Sequence, residues 1–302
     1  MGAGANYSFG GASNKSGERA SGAVDPILIL IALAIGFAAG ILSGMFGIGG
    51  GIIMVPAILA AGLVASTDFN IATACSLFAI IFLSPTGSYV HLKANHLNVR
   101  YGLVLGVSGV VGGVIGSYVS NPLNPDWLEG GFAIFTVFMG VQMALKNGKR
   151  SPRPPDRKEP VCTPEHGSQE SSECTVRNPF PYLVLLGLGA GVLAGFMGVG
   201  GGLIIVPVLV MLGVGIHVAV GTSLLAIIFT ATGSVATKAA IIPSLWPILF
   251  SVAIPLAVGG CIAAWLGAGI AERTGSRKLA RYFSVLLFFI SGYMILKALG
   301  YF

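Results

Sequence analysis

From position 27 to position 299 the chain is a succession of apolar runs, most of them close to the ~20 residues a helix needs to cross a hydrocarbon core ~30 Å thick. A bilayer offers no water to exposed N–H and C=O groups, so only helices and closed barrels can span it, and runs of this length select helices. The rest of the composition agrees: 54% of the 302 residues are hydrophobic and 9% charged, against roughly 25% charged in a soluble domain. A soluble enzyme is a poor fit. The formal net charge of +6 sits mainly in short polar stretches between the runs, where cytoplasmic retention of Lys and Arg accounts for it. The lipid bilayer is therefore an expected partner, and nucleic acid is not.

The chain also repeats itself. GILSGMFGIGGGIIMVPAIL, from Gly40 to Leu59, is matched by GVLAGFMGVGGGLIIVPVLV, from Gly191 to Val210. SLFAIIF from Ser76 then recurs as SLLAIIF from Ser223, and the TGS at Thr86 recurs at Thr232. Two blocks in the same order describe two related halves. Between them, 147–178 is charged and rich in Pro and Ser, too polar to bury a core of its own. The expected organisation is a flexible tail over 1–26, a first five-helix repeat over 27–146, a polar linker over 147–178 and a second five-helix repeat over 179–302.

Within the first half, helices are predicted at 27–46, 52–65, 70–91, 99–119 and 128–146; in the second, at 180–197, 203–214, 217–241, 245–270 and 279–299. The second segment of each half is too short to span comfortably, and must be tilted, broken or partly re-entrant. Charge decides how to count it. The linker and the cluster from Glu272 to Arg281 are the most basic stretches, and they face the same side only if an even number of crossings separates them. Counting the short segment as a crossing achieves this. Five crossings per half make the second repeat inverted, with the linker cytoplasmic and both termini outside. The fold class is thus an all-α integral membrane protein of about ten helical segments, in two inverted five-helix repeats with Gly-rich breaks near mid-membrane.

In such architectures paired short or Gly/Pro-interrupted segments point to the substrate site. Here they are Gly47 to Pro56 and Gly198 to Pro207. Consecutive glycines leave the backbone bare, and the helix start that follows presents unpaired N–H groups and a positive dipole end, which together attract an anion. No acidic residue sits in the middle of an apolar run, which disfavours a cation as cargo. The candidate substrate-binding residues are Gly49, Gly50 and Gly51 with Gly200, Gly201 and Gly202, joined by Cys75, Ser76 and Ser88 in the first half and Thr222, Ser223 and Ser234 in the second. Lys93 and Lys238, which end equivalent helices, and His91 are candidate charge contacts. A packing role competes for each hydroxyl, and snorkelling for each lysine. His96 and His217 are further candidates for proton relay. Neither a catalytic residue nor a cofactor is expected. Cys162, Cys174 and His166 in the linker lack the spacing of a zinc module, so no metal is expected either.

The doubled G-(I/V)-G-G-G-(I/L)-I block, followed by VP and later by S-L-x-A-I-I-F, resembles the sulfite exporter TauE/SafE family, also called the 4-toluene sulfonate uptake permeases. The resemblance covers both halves, and its matching positions are Gly47, Gly49, Gly50, Gly51 and Pro56, then Gly198, Gly200, Gly201, Gly202 and Pro207. It implies a polytopic permease for sulfite, sulfoacetate or related organosulfonates. The central linker is longer and more charged than a minimal member needs. The expected function is a secondary transporter exporting sulfite or a related small organosulfonate anion. The alternatives are an anion channel, an uptake permease for organosulfonate or thiosulfate, and a membrane-embedded sulfur-transfer enzyme using Cys75. The Gly-rich stretch from Gly102 to Gly116 suits packing against a second copy, so a homodimer is among the expected assemblies.

Overall fold

A computed structural model describes residues 26–64, 68–124, 180–242 and 245–274, with scattered positions between 127 and 138 and between 282 and 292. The expected tail, the linker with Cys162, His166 and Cys174, and most of the fifth segment of each half lie outside the described residues. The first half contributes α1 (Pro26–Phe46), α2 (Gly51–Ala60), α3 (Phe69–Lys93) and α4 (Val99–Ser120); the second contributes α5 (Phe180–Met197), α6 (Gly202–Met211), α7 (Ile216–Ile241) and α8 (Leu245–Arg273). No strand occurs among the described residues. The scattered positions from Trp127 to Phe138 and from Tyr282 to Gly292 are helical.

Local chemistry sets these boundaries. The Asn98 side chain accepts the Tyr101 amide at 3.1 Å and caps α4. A π-helical turn at Leu249–Ala253 interrupts α8 just before Pro255, whose ring nitrogen cannot continue the ladder. Gly50 and Gly201 cap the two short helices in the left-handed region.

Among the described residues, six helices are long and apolar enough to cross a membrane. Within their apolar windows, 61% of α3 and 72% of α7 is buried, against 33% of α1 and 39% of α5. The bundle is therefore centred on α3 and α7. Around them, the outer faces carry exposed Leu30, Phe37, Val107, Leu185 and Trp265, the side chains a lipid-facing surface requires.

Glycine allows the close contacts that join the halves, as small residues do between membrane helices. Gly36, Gly40 and Gly44 of α1 lie against Leu256, Gly260 and Ala264 of α8, and Gly187, Gly191 and Gly195 of α5 lie against Leu105, Gly109 and Gly113 of α4. Both pairs run parallel. α3 and α7 run antiparallel, since His91 packs on Gly221 while Lys238 bonds to Thr73. Leu83 on Gly260 and His91 on Glu272 make α3 parallel to α8, and Leu225 and Phe229 on Gly102 and Gly106 make α7 parallel to α4. Hence α1, α3 and α8 point one way and α4, α5 and α7 the other. Lys93, Arg100, Arg273 and the start of α5 fall at one end of the bundle, and Lys238 falls near the other.

Because α1 and α3 run the same way, the chain returns between them through α2. Its ten residues cover only ~15 Å, and the glycine loop before it and the turn after it complete the return. The same holds for α6.

One sequence match does not survive in space. Buried positions in α3 and α7 keep a single spacing of 147 residues along the whole helix: Ser76 with Ser223, Ile80 with Ile227, Ser84 with Ala231, Gly87 with Ser234, His91 with Lys238. The two TGS triplets are 146 apart and thus out of register by one residue. The partner of Lys238 is consequently His91, not Lys93.

Candidate functional site

Gly47, Gly49 and Gly50 have φ of 69°, 86° and 78°, and Gly198, Gly200 and Gly201 have 73°, 76° and 82°. Other residues are strained in this region, which explains why both copies place glycine at the same three positions. The two loops cross each other antiparallel. A Cβ on Gly51 would meet the carbonyl oxygen of Gly198, and one on Gly202 would meet that of Gly47. At the middle of the crossing, Gly49 lies against Ile227, and Gly200 against Ile227 and Ile80. Those isoleucines stand halfway along α7 and α3, so the breaks occupy the middle of the bundle.

Hydroxyls pin the loops, those of Ser76 and Ser223 across the halves. Ser76 Oγ donates to the Gly198 carbonyl at 2.8 Å, and Ser223 Oγ lies 2.8 Å from the carbonyls of both Gly47 and Val220. Thr230 Oγ1 is 3.0 Å from the Gly200 carbonyl. Loop carbonyls are thereby occupied while the helix starts are not. The amides of Ile53 and Met54 bond to the Gly50 carbonyl, and those of Ile204 and Ile205 to the Gly201 carbonyl. Among the described residues, the amides of Gly51, Ile52, Gly202 and Leu203 have no acceptor. These are the groups an anion would use.

The crossing is closed in this conformation. A cavity beside Gly201, lined by Met197, Val199 and Leu203, measures about 10 Å³, room for a water molecule at most. An open groove of about 430 Å³ between α3 and α7 is lined by Phe78, Ile81, Val235, Ala239 and Trp246 and offers an anion almost nothing polar.

Of the sequence-predicted residues, the six glycines with Ser76 and Ser223 converge at the crossing. Four others stand apart from it. Thr222 Oγ1 accepts the Asn98 amide at 3.1 Å, Ser234 Oγ donates to the Thr230 carbonyl at 2.9 Å, and Cys75 and Ser88 are buried on α3, Cys75 within the apolar cluster that includes Leu249 and Ala253. Lys93 is exposed, with Nζ 4.8 Å from the centre of the Tyr89 ring, and reaches no part of the crossing.

The two remaining charge candidates are buried at opposite ends. His91 is fully buried; its Nδ1 is 2.7 Å from Glu272 Oε1, and its Nε2 is 3.3 Å from the carbonyl of Gly44, just before the first loop. His96 Nδ1 lies 2.7 Å from Glu272 Oε2 and stacks on His217 at 5.4 Å. Lys238, only 2% exposed, is buried among side chains at its end of the bundle. Its ammonium donates to Asn70 Oδ1 at 2.9 Å, to Thr73 Oγ1 at 2.8 Å and, weakly, to Ser120 Oγ at 3.5 Å.

Glu272, Asn70, Thr73 and Ser120 were not singled out by the sequence. Asn70, Thr73 and Ser76 follow one another at three-residue spacing on one face of α3, a polar stripe that could have drawn attention. Glu272 gave no local signal, because its partner His91 is 181 positions away.

The family model described as sulfite exporter TauE/SafE matches residues 32–294. A probable membrane transporter protein of Methanocaldococcus jannaschii is 24% identical over 280 residues, covering 89% of this chain and 96% of that one. Another, from Xylella fastidiosa, is 26% identical over 267 residues, covering 87% and 92%. A probable membrane transporter protein of Bacillus subtilis is 34% identical over 113 residues, covering 37% of this chain and 40% of that relative's length. No solved structure matches. Both glycine loops, the serines that pin them and the two buried end groups fall inside the matched range, and the chain belongs to the sulfite exporter TauE/SafE family of multi-pass membrane proteins.

Proposed function

We propose that the protein is a secondary carrier that exports sulfite or a related small organosulfonate anion, passing it between the two glycine loops. One observation carries this reading: two helix starts with bare amides lie on either side of a backbone crossing in the middle of the bundle, with no carboxylate at the crossing among the described residues. Such ends favour negative charge without any fixed cation to trap it. The closed crossing is then an occluded state, and the anion binds when the loops part.

The two halves form an inverted repeat in this reading, supported by the antiparallel course of α3 and α7 and by reciprocal contacts such as Ser76 to Gly198 and Ser223 to Gly47. Around that antiparallel pair, α1 and α3 pack in parallel on α8, and α5 and α7 on α4, an arrangement suited to opening one end as the other closes. The end that carries Lys93, Arg100, Arg273 and the start of α5 is the cytoplasmic one by its basic charge, which puts the linker inside and both termini outside. An inside-negative potential then assists anion export by ~2.3 kcal/mol per charge per 100 mV.

A thermal-shift panel on the purified protein with sulfite, sulfate, thiosulfate, sulfoacetate and chloride tests the reading. Sulfite or a sulfonate is expected to raise the melting temperature in a saturable way while chloride does not. An identical response to all five anions contradicts it.

A further inference from the structure

We propose that Lys238, with Asn70, Thr73 and Ser120, is an oxyanion-binding site near the end of the bundle opposite His91 and Glu272, a station on the anion's path beyond the crossing. The proposal rests on the transport reading and adds to it a binding site and a ligand class.

The internal repeat supplies the control. Lys238 and His91 hold the same position in α7 and α3. At His91 the basic group has a carboxylate, Glu272, from the end of α8. The contacts of Gly40 with Gly260 and of Gly191 with Gly109 align α8 with α4 at a spacing of 151 residues, which puts Asn121 where Glu272 stands. Asn121 is exposed and neutral. Lys238 accordingly has only neutral oxygens around its ammonium, and no carboxylate among the described residues pairs with it.

A buried ammonium without an opposite charge is costly, and lysines near helix ends ordinarily avoid that cost by reaching the interface. Lys238 lies three residues from the end of α7 and is 2% exposed. An anion arriving from the crossing supplies the missing charge. The site adjoins the crossing: Thr73, whose hydroxyl accepts from Lys238, packs its β-carbon and methyl on Gly198, and Ser76, one turn further along α3, holds the Gly198 carbonyl. The ligand chemistry follows from the donors. The Thr73 and Ser120 hydroxyls and the Asn70 amide already donate to the carbonyls of Asn70, Ser117 and Ser120. What an anion takes over is therefore the ammonium with its three protons, and an ion with several oxygens, such as sulfite or a sulfonate head group, matches these better than a halide with a single centre.

The test compares wild type with Lys238→Met, Lys238→Arg and Thr73→Val, reading sulfite affinity from melting-temperature titrations in detergent and KM from flux in proteoliposomes. Lys238→Met is expected to weaken sulfite binding and raise KM at least tenfold. Lys238→Arg, which keeps the charge, should stay within about threefold of wild type. Thr73→Val, which keeps the volume, should weaken sulfite binding severalfold, and it answers the question even if Lys238→Met does not fold. Unchanged affinity and KM in Lys238→Met, or in Thr73→Val where that is the variant that folds, overturns the site and leaves the transport reading standing. Lys238-dependent sulfite binding without any wild-type flux would instead sustain the site and remove the transport reading.

Discussion

Ser76 on α3 holds the carbonyl of Gly198 at 2.8 Å, a hydrogen bond from the first half of the chain to the glycine loop of the second. Ser223 does the same in reverse for Gly47. These bonds satisfy oxygens in loops where no helix ladder reaches, so they stabilise the closed crossing and must break or shift if it opens. Ser76→Ala and Ser223→Ala are each expected to lower stability by about 1–3 kcal/mol, the usual cost of orphaning a buried acceptor. Thermal unfolding in detergent checks this, and the double variant measures whether the two bonds act together.

Gly51 and Gly202 approach the opposite loop so closely that a methyl group would overlap its carbonyl oxygen. Gly51→Ala and Gly202→Ala should each cost about 1–3 kcal/mol as overpacking does, and should reduce flux beyond what the stability loss explains. Gly189→Ala is the control. A Cβ there meets nothing within 4 Å, so stability and flux are expected to hold.

The helices themselves were legible in the sequence, because polar loops interrupt apolar runs at nearly every boundary. The predicted 27–46, 99–119 and 180–197 agree with α1, α4 and α5 within one residue at each end. The predicted 52–65 and 203–214 overrun the short helices, which stop at Ala60 and Met211 because Gly62 and Gly213 turn into the left-handed region, a signal that the surrounding apolar residues mask. The glycine loops were legible as a pair of breaks with the substrate expected between them, while the antiparallel crossing of their backbones was not. Register was the other gap. The repeated TGS paired Lys93 with Lys238, but burial keeps the helical spacing of the preceding block and makes His91 the equivalent of Lys238. Short motifs are matched by letters, whereas helix faces are matched by angle.

Cys75 is fully buried among apolar neighbours and its counterpart is Thr222. A sulfur-transfer reaction through this thiol requires access that the closed state does not give. Cys75→Ala is expected to cost about 1 kcal/mol in stability and to leave flux near the wild-type value. Loss of all flux in a folded Cys75→Ala protein would favour the enzymatic alternative.

Glu272 joins His91 and His96, and so ties the end of α8 to the end of α3 and to the turn that starts α4. Glu272→Gln keeps the shape but removes the charge shared by two imidazoles. A stability loss of about 1–3 kcal/mol is expected from weakening a part-buried hydrogen-bonded group. Hydrogen exchange should show the first turns of α4 and α7, which meet at this end, opening faster than in the wild type.

Counterflow in proteoliposomes addresses the central claim most directly, that an anion crosses the membrane through the glycine crossing. Vesicles loaded with unlabelled sulfite should transiently accumulate labelled sulfite, with saturation, when the wild-type protein is present, and should lose this in folded Gly51→Ala or Gly202→Ala. Accumulation no greater than in empty vesicles, or undiminished in both glycine variants, would contradict the account.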